Sequence, residues 1–121
     1  MDSPDSLSFS SACTEEAGVV LVVLSGELDL FSAPRLRNVL EAACADGKPV
    51  CVDLAEVPFL DTTALAALLS ARRAARDRRA PFVVAAAGTA VARILDQAGL
   101  GELLRSFPTR AEALAALSSA S

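Results

Sequence analysis

Apolar residues along this chain come in two rhythms. Val19 to Leu24 is an unbroken run of β-branched and aliphatic residues, the pattern of a strand buried on both faces. Pro49 to Leu54 repeats it, with Val50, Val52 and Leu54 on one side, and Pro81 to Ala86 supplies a third such segment. Leu7 to Cys13 alternates loosely and reads as an edge strand, joined to the Val19 strand by a hairpin turn at Glu15-Glu16-Ala17-Gly18. Leu103 to Phe107 reads as a last, short strand.

Between these segments the period shifts toward that of a helix. Ser32-Ala33-Pro34 opens the first helix, with Ser placed to cap the free N–H groups and Pro tolerated in the first turn. Leu36, Val39, Leu40 and Ala43 follow at helical spacing, and Asp46-Gly47-Lys48 ends it. The loop from Glu56 to Asp61 is expected to turn Phe59 and Leu60 inward. A long helix is predicted from Thr62 to Arg78, with Leu65, Leu68, Ala71, Arg72 and Ala75 on one stripe and Arg73 and Arg76 facing out. Gly88-Thr89 opens a short helix through Gln97 that Gly99 stops. Thr109, with Glu112 three residues on, is a capping-box pattern for a final helix to Leu117. Strands alternating with helices predict an α/β fold: a mixed, largely parallel sheet with helices packed on it, the first hairpin adding an antiparallel edge. The expected organisation is one domain over residues 7–117, with flexible ends at 1–6 and 118–121.

Composition narrows the function. At 121 residues and 53% hydrophobic, the chain is long enough for one domain with a real core. Its net charge of -4 gives no general attraction to phosphate backbones, and the absence of Trp and Tyr leaves little for stacking bases, so no nucleic-acid partner is expected. The Val19–Leu24 run is far short of the ~20 residues a membrane helix needs. The acidic start Met1-Asp2-Ser3-Pro4-Asp5 is unlike a secretory signal. These features predict a cytoplasmic protein without direct membrane contact.

Histidine is absent, which removes the commonest general base and the commonest metal ligand. Cys13, Cys44 and Cys51 are odd in number and none are spaced as C-x-x-C, so buried, reduced thiols are expected, not disulfides or a zinc site. The glycines form no phosphate-binding loop. The expectation is a protein with no cofactor and no catalytic set.

Three segments remain as candidates. In Phe59-Leu60-Asp61-Thr62-Thr63-Ala64-Leu65 two hydroxyls sit at a helix start, where free N–H groups and the helix dipole accommodate an anion. Simple capping by Asp61, Thr62 or Thr63 explains the same pattern, and the two readings are compatible. Ser25-Gly26-Glu27-Leu28-Asp29 leaves the end of an apolar strand, where open α/β sheets form ligand crevices. If its strand and the Cys51 strand are parallel neighbours, Asp29 and Thr62 lie close; otherwise it is a solvated acidic loop. Arg72, Arg73, Arg76, Arg78 and Arg79 read as a solvated face complementing a helix C-terminus, in preference to a nucleic-acid patch.

With these residues in place, the chain resembles the STAS-domain anti-sigma factor antagonists. Three stretches carry the resemblance, in order: Leu24-Ser25-Gly26-Glu27-Leu28-Asp29 with Ser32-Ala33; Val52-Asp53-Leu54 through Phe59-Leu60-Asp61-Thr62-Thr63-Ala64-Leu65; and Ala90-Val91-Ala92-Arg93-Ile94-Leu95-Asp96 with Gly99-Leu100. Together with the spacing between them, the resemblance covers roughly Leu7 to Leu117. The resemblance implies a STAS-like mixed sheet and partner switching. In that family the unmodified protein binds an anti-sigma factor with serine/threonine kinase activity, which then releases a sigma factor. The kinase phosphorylates the hydroxyl residue directly after the motif's Asp, and a PP2C-type phosphatase reverses this. By position the acceptor is Thr62, with Thr63 the second choice; Asp61 is the motif acid and Asp29 the acidic loop residue beside the acceptor. The implied partner-binding residues are Gly26, Glu27, Asp29, Ser32, Asp61, Thr62, Thr63, Ala64 and Leu65. The implied setting is transcription regulation in a stress response or sporulation. The alternative keeps the fold and makes the chain an unphosphorylated STAS subunit of a transporter or larger signalling assembly. Two positions depart from the family pattern: Ala64 stands where Gly is usual, a methyl expected to crowd a partner's backbone or slow phosphorylation, and the acceptor is Thr where Ser is commoner.

Overall fold

The computed structural model describes residues 8–100 and 103–118. Strands β1 (Ser10–Glu16) and β2 (Val19–Ser25) form an antiparallel hairpin whose register runs from Glu16↔Val19 to Ser10↔Ser25. The turn is Ala17-Gly18 alone, with φ of 54° and 79°. Two residues in the left-handed region suffice to reverse the chain with the twist of the strands. Glu15 and Glu16, read as turn from the sequence, are therefore paired strand residues, and β1 runs further than Cys13; Leu7 lies outside the described residues. The chain continues through α1 (Ala33–Cys44), β3 (Val50–Glu56), α2 (Thr62–Asp77), β4 (Phe82–Ala85), α3 (Thr89–Gln97), β5 (Arg105–Phe107) and α4 (Arg110–Ser118). The sheet order is β1-β2-β3-β4-β5, and every neighbouring pair after the hairpin is parallel. This is the mixed, largely parallel α/β sheet that the alternation of strand and helix patterns predicts. The expected flexible ends fall outside the described residues, apart from Ser118, which closes α4.

Strand alternation divides the core in two. Val22, Leu24, Val50, Val52, Leu54 and Val84 face α1, α2 and α3, meeting Leu36, Leu40, Leu65, Leu68, Val91 and Leu95. Val19, Leu21, Cys51, Val83 and Ala85 face the other way, under Ala113 and Leu117 of α4. Helix α4 starts as its capping box predicts, with the Glu112 N–H donating to Thr109 Oγ1 at 3.1 Å. Asp53, also on this second face, is buried and accepts from Arg110 Nε at 2.7 Å and from the Ala55 N–H at 2.8 Å.

Two expectations about side chains are corrected. Cys44 and Cys51 are buried, but Cys13 is exposed, because it lies on an edge strand that is exposed along its whole length. Leu60 is buried, but Phe59 is 45% exposed. A parallel bridge between Leu28 and Leu60 carries strand-like pairing beyond β2 and β3. Successive side chains there point to opposite sides, so turning Leu60 inward sends Phe59 outward.

Candidate functional site

The chain leaves β2 through Gly26, whose φ is 88° and whose N–H donates to the Glu56 carbonyl at 3.1 Å. A Cβ on Gly26 would lie 2.2 Å from the Ser8 carbonyl oxygen, so conformation and space both require glycine. Beyond it the loops after β2 and β3 are joined. The Leu28 N–H donates to the Phe59 carbonyl at 3.0 Å, and the Asp61 N–H donates to the Leu28 carbonyl at 3.0 Å.

Each loop ends in an aspartate that organises a helix start, and the two do so differently. Asp29 Oδ1 accepts from the N–H groups of Phe31 and Ser32, both at 3.0 Å, folding its own loop into the entrance of α1. Ser32 does not cap α1 with its side chain, as its position suggested. Its backbone is already helical, and its Oγ turns back to accept from the Asp29 N–H at 2.9 Å and donate to the Glu27 carbonyl at 3.1 Å. Asp61 does cap α2: its Oδ1 accepts from the Ala64 N–H at 3.0 Å. Its other oxygen accepts from the Leu30 N–H at 3.1 Å, so one carboxylate both starts α2 and holds the Asp29 loop against it.

With the Ala64 N–H on Asp61 Oδ1 and the Leu65 N–H on the Asp61 carbonyl, the N–H groups of Thr62 and Thr63 are the first-turn donors left at the start of α2. Thr62 is exposed and Thr63 half-buried. A negative group placed on the Thr62 hydroxyl meets the positive end of a 16-residue helix.

All the residues named from the sequence gather at this end of the sheet, but they do not all face solvent. Glu27, Asp29, Asp61, Thr62 and Thr63 do so in part or fully; Gly26, Ser32, Ala64 and Leu65 are buried. Ala64 is 0% exposed, so its methyl fills the core beneath α2 and does not stand on the surface where a partner backbone would approach. Sequence reasoning overlooked the apolar half of the surface. Leu30, Phe31 and Phe59 are 63%, 89% and 45% exposed and all belong to these two loops. The signal was present in Leu30-Phe31, two large apolar residues between Asp29 and Ser32 in a loop that leads to Pro34. The Leu28–Phe59 and Leu30–Asp61 hydrogen bonds bring the two loops that carry them to the same end of the sheet.

A family model of the STAS domain matches residues 11–113. The chain belongs to the STAS family. This STAS domain is 31% identical over 115 residues to the anti-sigma-F factor antagonist RsfB of Mycobacterium tuberculosis, covering 94% of this chain and 92% of that one. It is 26% identical over 84 residues to the anti-sigma-B factor antagonist of Listeria monocytogenes, covering 69% and 74%. The crystal structure of an anti-sigma factor antagonist from Mycobacterium paratuberculosis matches it with a TM-score of 0.82 at 30% identity, over 97% of this chain and 98% of that one. Homologues of this STAS domain are thus anti-sigma factor antagonists. Among its described residues, no helix is long and apolar enough to cross a membrane.

Proposed function

We propose that this STAS domain is an anti-sigma factor antagonist that binds an anti-sigma factor kinase and is switched off by phosphorylation of Thr62. A PP2C-type phosphatase returns it to the binding form, and the exchange takes place in the cytoplasm, without contact with nucleic acid or membrane. The observation that carries this reading is exposed Thr62 at the first position of α2, next to the Asp61 carboxylate that holds the loop of exposed Leu30 and Phe31 against this helix start. Apolar side chains favour association as they leave water. A phosphate among them adds roughly -1.5 to -2 charge. It must then be desolvated against an apolar partner surface, which costs several kcal/mol when no cation matches it. Even ~3 kcal/mol lowers affinity more than a hundredfold. Asp61 and Asp29 hold the two loops in the shape the partner meets, and Glu27 adds negative charge at the rim.

The test is incubation with the cognate kinase and Mg-ATP, followed by mass spectrometry and a binding assay. Phosphate is expected on Thr62. Thr62→Ala is expected to bind and resist modification, and Thr62→Glu to bind more than a hundredfold more weakly. Phosphate found only on Thr63, or a Thr62→Glu protein that binds like the wild type, overturns the assignment.

A further inference from the structure

Strand β1 is the outer edge of the sheet, and among the described residues no strand pairs with its far side. The direction of its backbone groups follows from its neighbour. The Val20 N–H donates to the Pro49 carbonyl at 2.8 Å, so Val20 turns toward β3 and away from Glu15, which lies opposite it in β1. Alternation along the strands extends this to Val22 and Leu24, and so to Cys13 and Ser11 opposite them. Ser11, Cys13 and Glu15 therefore point their N–H and C=O groups outward, as one side of a ladder. Ser8 and Phe9, which lead into β1, keep to the inner side. The Ser8 carbonyl oxygen crowds Gly26, and Phe9 packs against the core with the Arg35 guanidinium 5.1 Å from its ring centroid.

Edge strands are commonly protected from further pairing by a proline, a bulge or a lysine. β1 reads Ser-Ser-Ala-Cys-Thr-Glu-Glu, and its seven pairs with β2 run without interruption, so it has none of these. Of its two charges, Glu15 is matched by Lys48 Nζ at 2.9 Å. The order of residues also favours a particular partner. A parallel copy of β1 sets Glu against Glu, whereas an antiparallel copy separates them. Outward residues meet outward residues only in alternate antiparallel registers. The register with full overlap places Cys13 opposite the partner's Cys13, Ser11 opposite the partner's Glu15 and Ser10 opposite the partner's Glu16. Each carboxylate then faces a hydroxyl.

We propose that β1 is a self-association edge, pairing antiparallel with β1 of a second copy about a two-fold axis at Cys13 and joining the two sheets into one. Such an interface is isologous, the same strand serving on both sides. A strand of seven residues buries little area, so the association is weak and reversible. The loops around Thr62 follow the Ser25 end of β2, beside Ser10, so the dimer carries its two Thr62 surfaces at opposite ends of the joined edge. The proposal is independent of the partner-binding reading.

The test is amide hydrogen exchange, read by two-dimensional NMR on the reduced full chain in dilute and in near-millimolar solution. The N–H groups of Ser11, Cys13 and Glu15 are expected to exchange freely when dilute and roughly tenfold more slowly when concentrated, with Ala12, Thr14 and Glu16 protected throughout. Ser11→Pro removes an outward N–H and leaves the ladder to β2 intact. It is expected to abolish the concentration dependence while melting near the wild type. A disulfide probe checks the register. Facing residues that exchange hydrogen bonds have Cα atoms about 5.5 Å apart, within reach of a disulfide. Diamide, a thiol oxidant, takes two electrons and two protons from the facing Cys13 thiols as the S–S bond forms, and is expected to yield a covalent dimer. In the double variant Cys13→Ala, Ala12→Cys the thiols stand on a diagonal of about 7 to 8 Å, and the yield is expected to fall severalfold. Exchange at Ser11, Cys13 and Glu15 that does not change with concentration overturns the proposal: fast exchange means that the edge stays open, and slow exchange means that another part of the same chain covers it. Self-association of Ser11→Pro equal to that of the wild type overturns the choice of strand. Equal disulfide yield from positions 12 and 13 overturns the register.

Discussion

On one face of the sheet three helices close over a deep apolar layer that includes Leu36, Leu40, Leu54 and Leu68, each no more than 1% exposed. On the other, the nine-residue α4 covers Val19, Leu21, Cys51 and Val83 with little more than Ala113 and Leu117. The thin face makes up part of the difference with charge: buried Asp53 receives Arg110, the first residue of α4. The contrast bears on function. Thr62 starts a helix anchored in the thick layer by Leu65 and Leu68, so its surface can change charge above a support that does not yield. The thin face buries fewer large side chains and carries the Arg110–Asp53 pair, so it is expected to be the weaker half of the fold.

Truncation measures the contrast most directly. Leu68→Ala on the thick face is expected to cost about 4 kcal/mol, the transfer energy of the lost atoms plus a cavity that rigid neighbours cannot fill. Leu117→Ala, one residue from the end of α4, is expected to cost about 2 kcal/mol because that end of the helix can settle inward. Urea denaturation of both variants checks this, and equal losses would show the two faces to be equally packed.

The ion pair comes next, and its two halves are not equivalent. The Asp53 side chain is 4% exposed and that of Arg110 44%. Arg110→Ala leaves a buried carboxylate with only the Ala55 N–H, and is expected to cost about 2 to 3 kcal/mol. Asp53→Asn leaves Arg110 free to turn into water and is expected to cost about 1 kcal/mol. If both variants lose the same amount, the charge of Asp53 is not what holds α4 down.

An effect of similar size, about 2 to 3 kcal/mol, is expected in alkali. Burial pushes the Cys51 thiol up from 9.0 to about 11, with the charge of Asp53 adding to the rise and Arg110 opposing it. In the unfolded chain the thiol ionises first, so the native state holds more protons between these values. Stability is therefore complete below pH 9, falls as pH rises from 9, and the thiol's share is gone by about 11. Cys44, also raised by burial, acts with the same sign, as does Lys48 through its bond to Glu15. Melting curves of the wild type and Cys51→Ala across this range isolate the Cys51 share; parallel curves would remove it.

These two layers were only partly legible in the sequence. Val19–Leu24 and Pro49–Leu54 announced central strands because a strand covered on both faces has no polar alternation to confuse it. The start of α2 was legible for a local reason: Asp61 reaches the Ala64 N–H within its own turn. What failed was set by distant partners. The bond from Asp61 to the Leu30 N–H spans 31 residues, and the Arg110–Asp53 pair spans 57. The first needs β2 and β3 side by side, and the second needs α4 docked on the sheet. Phe59 was misassigned for the same reason, since the Leu28–Leu60 bridge decides which way it points. Leu30 and Phe31 carry no periodicity that marks them as exposed, because they lie in a short loop between Asp29 and Ser32.

The smallest expected change in stability is at the residue with the largest expected change in binding. At the first position of α2, a carboxylate gains from the helix dipole, by about 0.3 to 1 kcal/mol near a helix N-terminus. It loses through repulsion by the adjacent Asp61, whose own carboxylate is already committed to the Ala64 and Leu30 N–H groups. Thr62 is exposed, so Glu at this position displaces nothing from the core. The two electrostatic effects oppose each other, and Thr62→Glu should melt within roughly 2 °C of the wild type, the shift that corresponds to about half a kcal/mol in a domain of this size. Calorimetry run beside the binding assay separates the outcomes. Lost binding with unchanged melting means that the partner surface is what the added charge disturbs. A melting temperature lowered to the level of Leu68→Ala would mean that the charge acts by loosening α2, and that the thick face is not a rigid support.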